Sequence, residues 1–237
     1  KGLLLWRGLL QWLGGIGIIV VAMVFLPELR VGGMQIFRSE GFDTFGKILP
    51  RATEISSRIS SIYLFLTMSC AAAYMLSGMT AFDATVHAMT TIATGGFANY
   101  DASFAAFEGA SASVAIVFML LAALPFVRFV QRTAGTARPL LHDSQIRFFL
   151  KTTVFIIAGL TAWRVIHDGV TTVAGVRDVV FNVVSILTGT GYASSDYMLW
   201  GGLPVTVLFF VGLIGGCAGS TSCSIKVFRY QLLFASI

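Results

Sequence analysis

Residues 83–101 and 178–196 carry the same pattern twice, at an offset of 95 residues throughout. The first copy runs from Asp83 through ATVHAMTTIATGGFANY to Asp101, the second from Asp178 through VVFNVVSILTGTGYASS to Asp196. Each opens on an Asp and continues through an apolar stretch of helix length. Each then breaks at a glycine (Gly96, Gly191) followed by an aromatic (Phe97, Tyr192) and closes on a second Asp. A helix that stops at glycine twice inside an apolar chain suggests a pore lined by backbone carbonyls.

The surroundings are those of a membrane. The chain is 56% hydrophobic and 11% charged, where a soluble domain carries roughly 25% charged residues. A span needs about 20 apolar residues. Charge-free runs at 8–27, 59–82, 109–127 and 197–225 supply them, and 152–163 extends past Arg164, whose head can snorkel to an interface. Cys70, Cys217 and Cys223 lie in apolar runs without metal-ligand spacing and read as small packing residues.

Basic residues give the topology. Arg30, Arg38, Lys47, Arg51 and Arg58 fill one loop, Arg128, Arg132, Arg138, Arg147 and Lys151 another, and Lys226 and Arg229 follow the last run. The positive-inside rule puts all three in the cytoplasm. If 84–100, charge-free for 17 positions, crossed the membrane, two basic loops would fall on opposite sides. The same parity applies to 179–195. Both segments are therefore expected to enter from outside, turn, and leave by the same face.

A re-entrant backbone is tolerated only where it lines water or protein, because lipid satisfies no N–H or C=O. Helices over 80–93 and 175–188 would be about 20 Å long, enough to reach mid-membrane. Asp83 and Asp178 are placed in the first turns, complementing the dipole. The negative C-terminal ends would then favour a cation at the membrane centre. The returning strand needs residues tolerant of positive φ, which points to Gly95 and Gly96 in one copy and Gly189 and Gly191 in the other. Asp101 and Asp196 would sit at the outer mouth and concentrate cations.

These motifs carry a resemblance. TTIATGGFANYD (90–101), LTGTGYASSD (187–196), QWLGGIGIIV (11–20), VGGMQIFRSE (31–40) and GGCAGSTSCSIKVFRY (215–230) together resemble the TrkH-type potassium transporter subunit of the Trk/Ktr/HKT superfamily. The likeness covers essentially the whole chain. It implies an all-α membrane protein of repeated helix–re-entrant pore loop–helix units, four around one pore. On that template Thr94, Gly95, Gly96 and Phe97 resemble the second filter strand, and Gly189, Thr190, Gly191 and Tyr192 the third, each offering backbone carbonyls to K⁺. Residues 1–29 would be the outgoing helix of repeat 1 and 30–51 a cytoplasmic connector, with a short interfacial helix around Gln35 to Glu40. Residues 52–133 would form repeat 2, with helices near 59–79 and 109–131. A linker over 134–144 would lead to repeat 3 at 145–237, with helices near 147–167 and 198–234. Two strands cannot enclose an ion, so the chain is expected to be a fragment of a longer protein.

The run Gly215, Gly216, Cys217, Ala218, Gly219, Ser220, Thr221 and Ser222, continued by Cys223 and Ser224, is a poor helix former inside the last apolar run. Such a run can unwind where it faces a cavity. The resemblance makes it an intramembrane loop under the filter that acts as the gate; a small-residue packing face is the alternative. His87 and Asn182 occupy equivalent pore-helix positions and read as packed, hydrogen-bonded groups. Arg164 and Asp168 could pair at i,i+4.

The expected function is transmembrane K⁺ uptake. Two alternatives stay open, a Na⁺-permeable or Na⁺-coupled member of the superfamily and a secondary solute transporter with broken helices. No Ser/His, paired Asp or HExxH arrangement lies at membrane depth, so enzymatic chemistry is not expected, nor a cofactor beyond the transported K⁺. The resemblance implies membrane lipid, a homodimer and a cytoplasmic nucleotide-binding subunit of the TrkA kind as partners, with no nucleic acid. It also implies a multi-pass protein of the cell inner (plasma) membrane.

Overall fold

A computed structural model describes residues 1–24, 52–107, 109–133, 135 and 142–236. The expected connector at 30–51 and most of the linker at 134–144 lie outside these residues. The described chain is helical: α1 (Gly2–Val24), α2 (Ala52–Leu76), α3 (Ala81–Ile92), α4 (Gly109–Ala122), α5 (Phe126–Thr133), α6 (Ser144–Asp168), α7 (Val173–Leu187), α8 (Gly202–Val211) and α9 (Val227–Ser236). Short 3-10 helices cover Ser103–Ala106 and Tyr197–Trp200. The all-α class expected from sequence is the one found.

Ser56–Leu76 and Ser144–Asp168 are long and apolar enough to cross a membrane, and α4 with α5 makes a third candidate bent by 84°. Leu76 and Phe155 on the two long helices are 90% and 80% exposed, which water would penalise and hydrocarbon accepts. The short helices α3 and α7 lie inside: α3 packs on α1, α2 and α4, and α7 on α4 and α6. One core cluster gathers Tyr63, Tyr74, Phe104, Phe126, Phe181 and Tyr192, and a second joins Phe149, Leu187, Val211 and Cys217.

Two expected spans are interrupted. The helix expected over 109–131 breaks between Ala122 and Phe126. Pro125 has no N–H to continue the ladder, and the residue before a proline is pushed out of the α region. The helix expected over 198–234 unwinds between Val211 and Val227, across the small-residue run. The two breaks meet. Cys217 N–H donates to the Ala123 carbonyl at 3.0 Å and Phe126 N–H to the Gly219 carbonyl at 3.0 Å, so each interruption satisfies polar groups the other leaves free.

Candidate functional site

The helices α3 and α7 end in the same motif, and the 95-residue offset holds for both of its bonds. After the cap residues Ala93 and Thr188, Thr94 N–H donates to Thr91 O (3.0 Å) and Gly189 N–H to Ile186 O (3.0 Å). Gly95 N–H then reaches Thr90 O (2.8 Å) and Thr190 N–H reaches Ser185 O (2.9 Å). This pair of bonds is a Schellman ending, which needs a left-handed residue just past the cap. Gly189 supplies it at φ +71° and Thr94 at φ +48°. Left-handed backbone returns two residues later at Gly96 (φ +75°) and Gly191 (φ +85°). The expectation for Gly95 is therefore corrected: positive φ falls on Thr94, a β-branched residue for which it is a strain.

Gly95 is small for another reason. A Cβ there would run into the Gln11 carboxamide of α1. That amide donates from Nε2 to Gly95 O (2.5 Å) and accepts from Phe97 N–H at Oε1 (3.2 Å). It thus pairs with the segment as a neighbouring backbone would.

Each segment is also tied to its own helix. Thr90 Oγ1 donates to Phe97 O (2.9 Å), and Ser185 Oγ, 95 residues on, donates to Tyr192 O (2.7 Å). The aromatics then diverge. Tyr192 is buried, its hydroxyl bonded with Thr90 and 3.3 Å from both Thr91 Oγ1 and His87 O on the helix of the other copy. Phe97 is 38% exposed and lies 4.3 Å beneath the Arg7 guanidinium.

Asp83 lies in the first turn of α3, as expected, beside the N-cap Thr80. Its carboxylate accepts from Asn99 Nδ2 (2.7 Å), Thr80 Oγ1 (2.8 Å) and Tyr100 OH (3.2 Å). Burial opposes its charge, but these three bonds outweigh burial and hold the carboxyl below its ordinary range. Asp178 departs from expectation. Thr172 caps α7 about a turn earlier than 175, so Asp178 lies beyond the first turn, where it accepts from Ser194 Oγ at 2.9 Å. Asp101 and Asp196 are exposed, and Asp196 Oδ1 accepts from Met198 N–H at 3.0 Å.

The run from Gly215 to Ser222 lies across the inner ends of both helices. Thr221 Oγ1 donates to Ile92 O (3.0 Å) on α3 and Ala122 O (3.1 Å) on α4. Ser222 Oγ donates to the Thr188 O that caps α7 (2.7 Å) and accepts from Gly216 N–H (2.8 Å). Ala218 N–H reaches Gln145 Oε1 (3.1 Å), Ser220 Oγ returns to Cys217 O (2.7 Å), and the Lys226 ammonium bonds Ser222 O. Cys70 and Cys217 are buried packing residues as expected, whereas Cys223 is exposed with Sγ 3.7 Å from Gly189 O. Arg164 and Asp168 form the anticipated pair at 2.6 Å.

Gln11, Thr90 and Ser185 were not singled out by the sequence. The signal was present, since Gln11 is the polar amide in an otherwise apolar run and Thr90 and Ser185 share the repeat offset. The arrangement brings together two glycine-containing backbone segments, held by side-chain bonds to Gly95 O, Phe97 O and Tyr192 O. Among the described residues no group of three or more His, Cys, Asp or Glu could hold a metal ion.

The family model for TrkH, cation transport protein, matches residues 1–237. The Trk system potassium uptake protein TrkI of Halomonas elongata is 46% identical over 233 residues, covering 98% of this chain and 47% of that protein. The Trk system potassium uptake protein TrkH of Vibrio parahaemolyticus is 38% identical over 242 residues, covering 98% and 50%. The crystal structure of the potassium transporter TrkH from Vibrio parahaemolyticus aligns with a TM-score of 0.85 at 34% identity, over 99% of this chain and 48% of that one. The chain spans about half the length of the curated relatives it matches.

Proposed function

The chain belongs to the TrkH family of cation transport proteins, and we propose that it supplies two of the repeats through which a membrane protein takes up K⁺. Thr94, Gly95, Gly96 and Phe97 form one wall of the selectivity filter, and Gly189, Thr190, Gly191 and Tyr192 the next. The observation that carries this reading is the left-handed alternation at 94/96 and 189/191, on segments anchored by equivalent bonds. Alternation of this kind turns successive carbonyls toward one side, and a ring of such dipoles replaces the hydration shell of K⁺. The repeats are residues 52–133 and 145–237, preceded by the outgoing helix of another repeat at 1–29.

Asp101 and Asp196 act as mouth charges that raise the local cation concentration. The run from Gly215 to Ser222 is the gate, because it lies against the helix ends where a cation leaving the filter must pass. The protein resides in the cell inner membrane with its basic loops cytoplasmic, as a homodimer, with a nucleotide-binding regulatory subunit of the TrkA kind beneath the pore. No enzymatic step is involved.

The test is Rb⁺ and Na⁺ uptake by the full-length protein in cells stripped of their own K⁺ uptake. Rb⁺ entry that K⁺ competes away and Na⁺ does not supports the reading. Equal competition by Na⁺ would replace it with a Na⁺-permeable pore.

A further inference from the structure

His87 and Asn182 are chemically unlike, yet they occupy the same position in the two copies and share two bonds, Asn182 Nδ2 also donating to Ser194 Oγ (3.1 Å) and Ser195 Oγ (3.3 Å). His87 Nδ1 lies 2.8 Å from Asp83 O, one turn back on α3, and Asn182 Nδ2 lies 2.9 Å from Asp178 O on α7. A carbonyl only accepts, so Nδ1 of His87 carries the proton, as Nδ2 of Asn182 does. On the far side, Asn99 N–H points at His87 Nε2 (3.4 Å) and Ser194 N–H at Asn182 Oδ1 (3.4 Å). Asn99 and Ser194 are again 95 residues apart, each two residues past the aromatic of its segment. Both braces are fully buried. Their partners are fastened a second time, Asn99 Nδ2 to Asp83 Oδ1 (2.7 Å) and Ser194 Oγ to Asp178 Oδ1 (2.9 Å).

Resting on the filter reading above, we infer that His87 and Asn182 are interchangeable positioning residues that pin the outer end of each filter segment to its own pore helix. Neither faces the ion. Each offers one donor to the helix backbone and one acceptor to the returning strand, and this donor–acceptor pair, rather than imidazole or amide chemistry, is what the position requires. Without it the backbone at Asn99 or Ser194 is released, and the carbonyls just inside it lose their fixed direction. The loss should appear as poorer discrimination between ions, not as a missing fold, because both residues are buried and the packing around His87 is aromatic. Phe104 and Phe107 lie 5.5 and 5.0 Å from His87, centroid to centroid.

The experiment compares four variants of the full-length protein by Rb⁺/Na⁺ uptake ratio and by amount in the membrane, with Gly191→Ser alongside. His87→Asn and Asn182→His keep a donor and an acceptor and should hold the parental ratio. His87→Leu and Asn182→Leu keep the bulk and lose both, and the ratio should fall roughly fivefold, the factor that one neutral hydrogen bond represents. An unchanged ratio in either Leu variant at normal membrane levels overturns the inference. Should a Leu variant fail to accumulate, the swaps decide: parental ratios in both support interchangeability, and a reduced ratio in either refutes it. Gly191→Ser separates the two readings. If it lowers the ratio while the Leu variants do not, the braces are wrong and the filter stands; if it leaves the ratio unchanged, the filter assignment fails first.

Discussion

A Cβ on Gly96 would overlap the carbonyl oxygen of Thr190, backbone against backbone, and this approach joins the two copies of the repeated segment. Gly191, the equivalent residue 95 positions later, has nothing within 4 Å of its own added Cβ. The two glycines share a left-handed φ but not an environment, and this separates their expected phenotypes.

Replacing Gly191 with Ser adds only the strain of a left-handed residue, roughly 1–2 kcal/mol. The variant should accumulate normally in the membrane, relieve the strain by rotating a peptide, and take up Rb⁺ with reduced preference over Na⁺. Gly96→Ala carries the same strain plus a collision with a main-chain atom that no rotamer can move. It should lower the amount of folded protein as well as uptake, read by membrane immunoblot beside Rb⁺ flux. Equal accumulation of the two variants would mean that the approach to Thr190 is dispensable.

Much of this geometry was legible in the sequence because a repeat reports its own structure. Pairing residues at an offset of 95 sets Thr94 opposite Gly189 and Gly95 opposite Thr190. The offset alone does not say which of these two positions turns left-handed, because Thr94 itself adopts φ +48° opposite Gly189 at φ +71°. The unwinding of the small-residue run was readable from its composition. The break at Pro125 is equally legible, since proline cannot continue the ladder, although the apolar residues on both sides of it fit an unbroken helix. What the sequence could not supply were the contacts between elements: Gln11 on the 95–97 backbone, Tyr192 on α3, and Thr221 on two helix ends. These depend on packing across distances of 84 to 129 residues, for which no local pattern exists.

The proposed role of Asp101 and Asp196 as mouth charges can be tested without disturbing their surroundings. Asp196 turns the chain at Met198 through a side-chain oxygen, a role asparagine can take over. Asp196→Asn and Asp101→Asn should therefore reduce uptake at limiting K⁺ more than at saturating K⁺. Because such focusing is screened over about 8 Å at physiological salt, the deficit should shrink as ionic strength rises. A deficit of the same size at every K⁺ and salt concentration would assign both residues to structure.

Thr221 bonds the inner ends of two helices at once, and its hydroxyl is the smallest group whose loss would loosen the run from Gly215 to Ser222. Thr221→Val conserves volume and removes the one hydroxyl proton shared between Ile92 O and Ala122 O, worth about 1 kcal/mol. If the run closes the pore, resting Rb⁺ uptake without activation should rise several-fold while the Rb⁺/Na⁺ ratio stays put. A fall in resting uptake, or a changed ratio at normal protein levels, would show that these bonds serve the conducting path instead of closure.

The contact between Gln11 and Gly95 makes a prediction that a double-mutant cycle can settle. A methyl on Gly95 meets the far end of a flexible side chain, so Gln11 can withdraw, at the cost of its bonds to Gly95 O and Phe97 N. Gly95→Ala and Gln11→Ala should then damage Rb⁺ uptake by a common route, each by roughly 1–3 kcal/mol of lost anchoring. Residues in direct contact couple, whereas distant ones add. The double variant should accordingly be no worse than the more damaged single variant, because the methyl on Gly95 has nothing left to displace once Gln11 is truncated. Fully additive losses would mean that Gly95 is constrained by something other than Gln11, and that the carboxamide is not what holds this segment against α1.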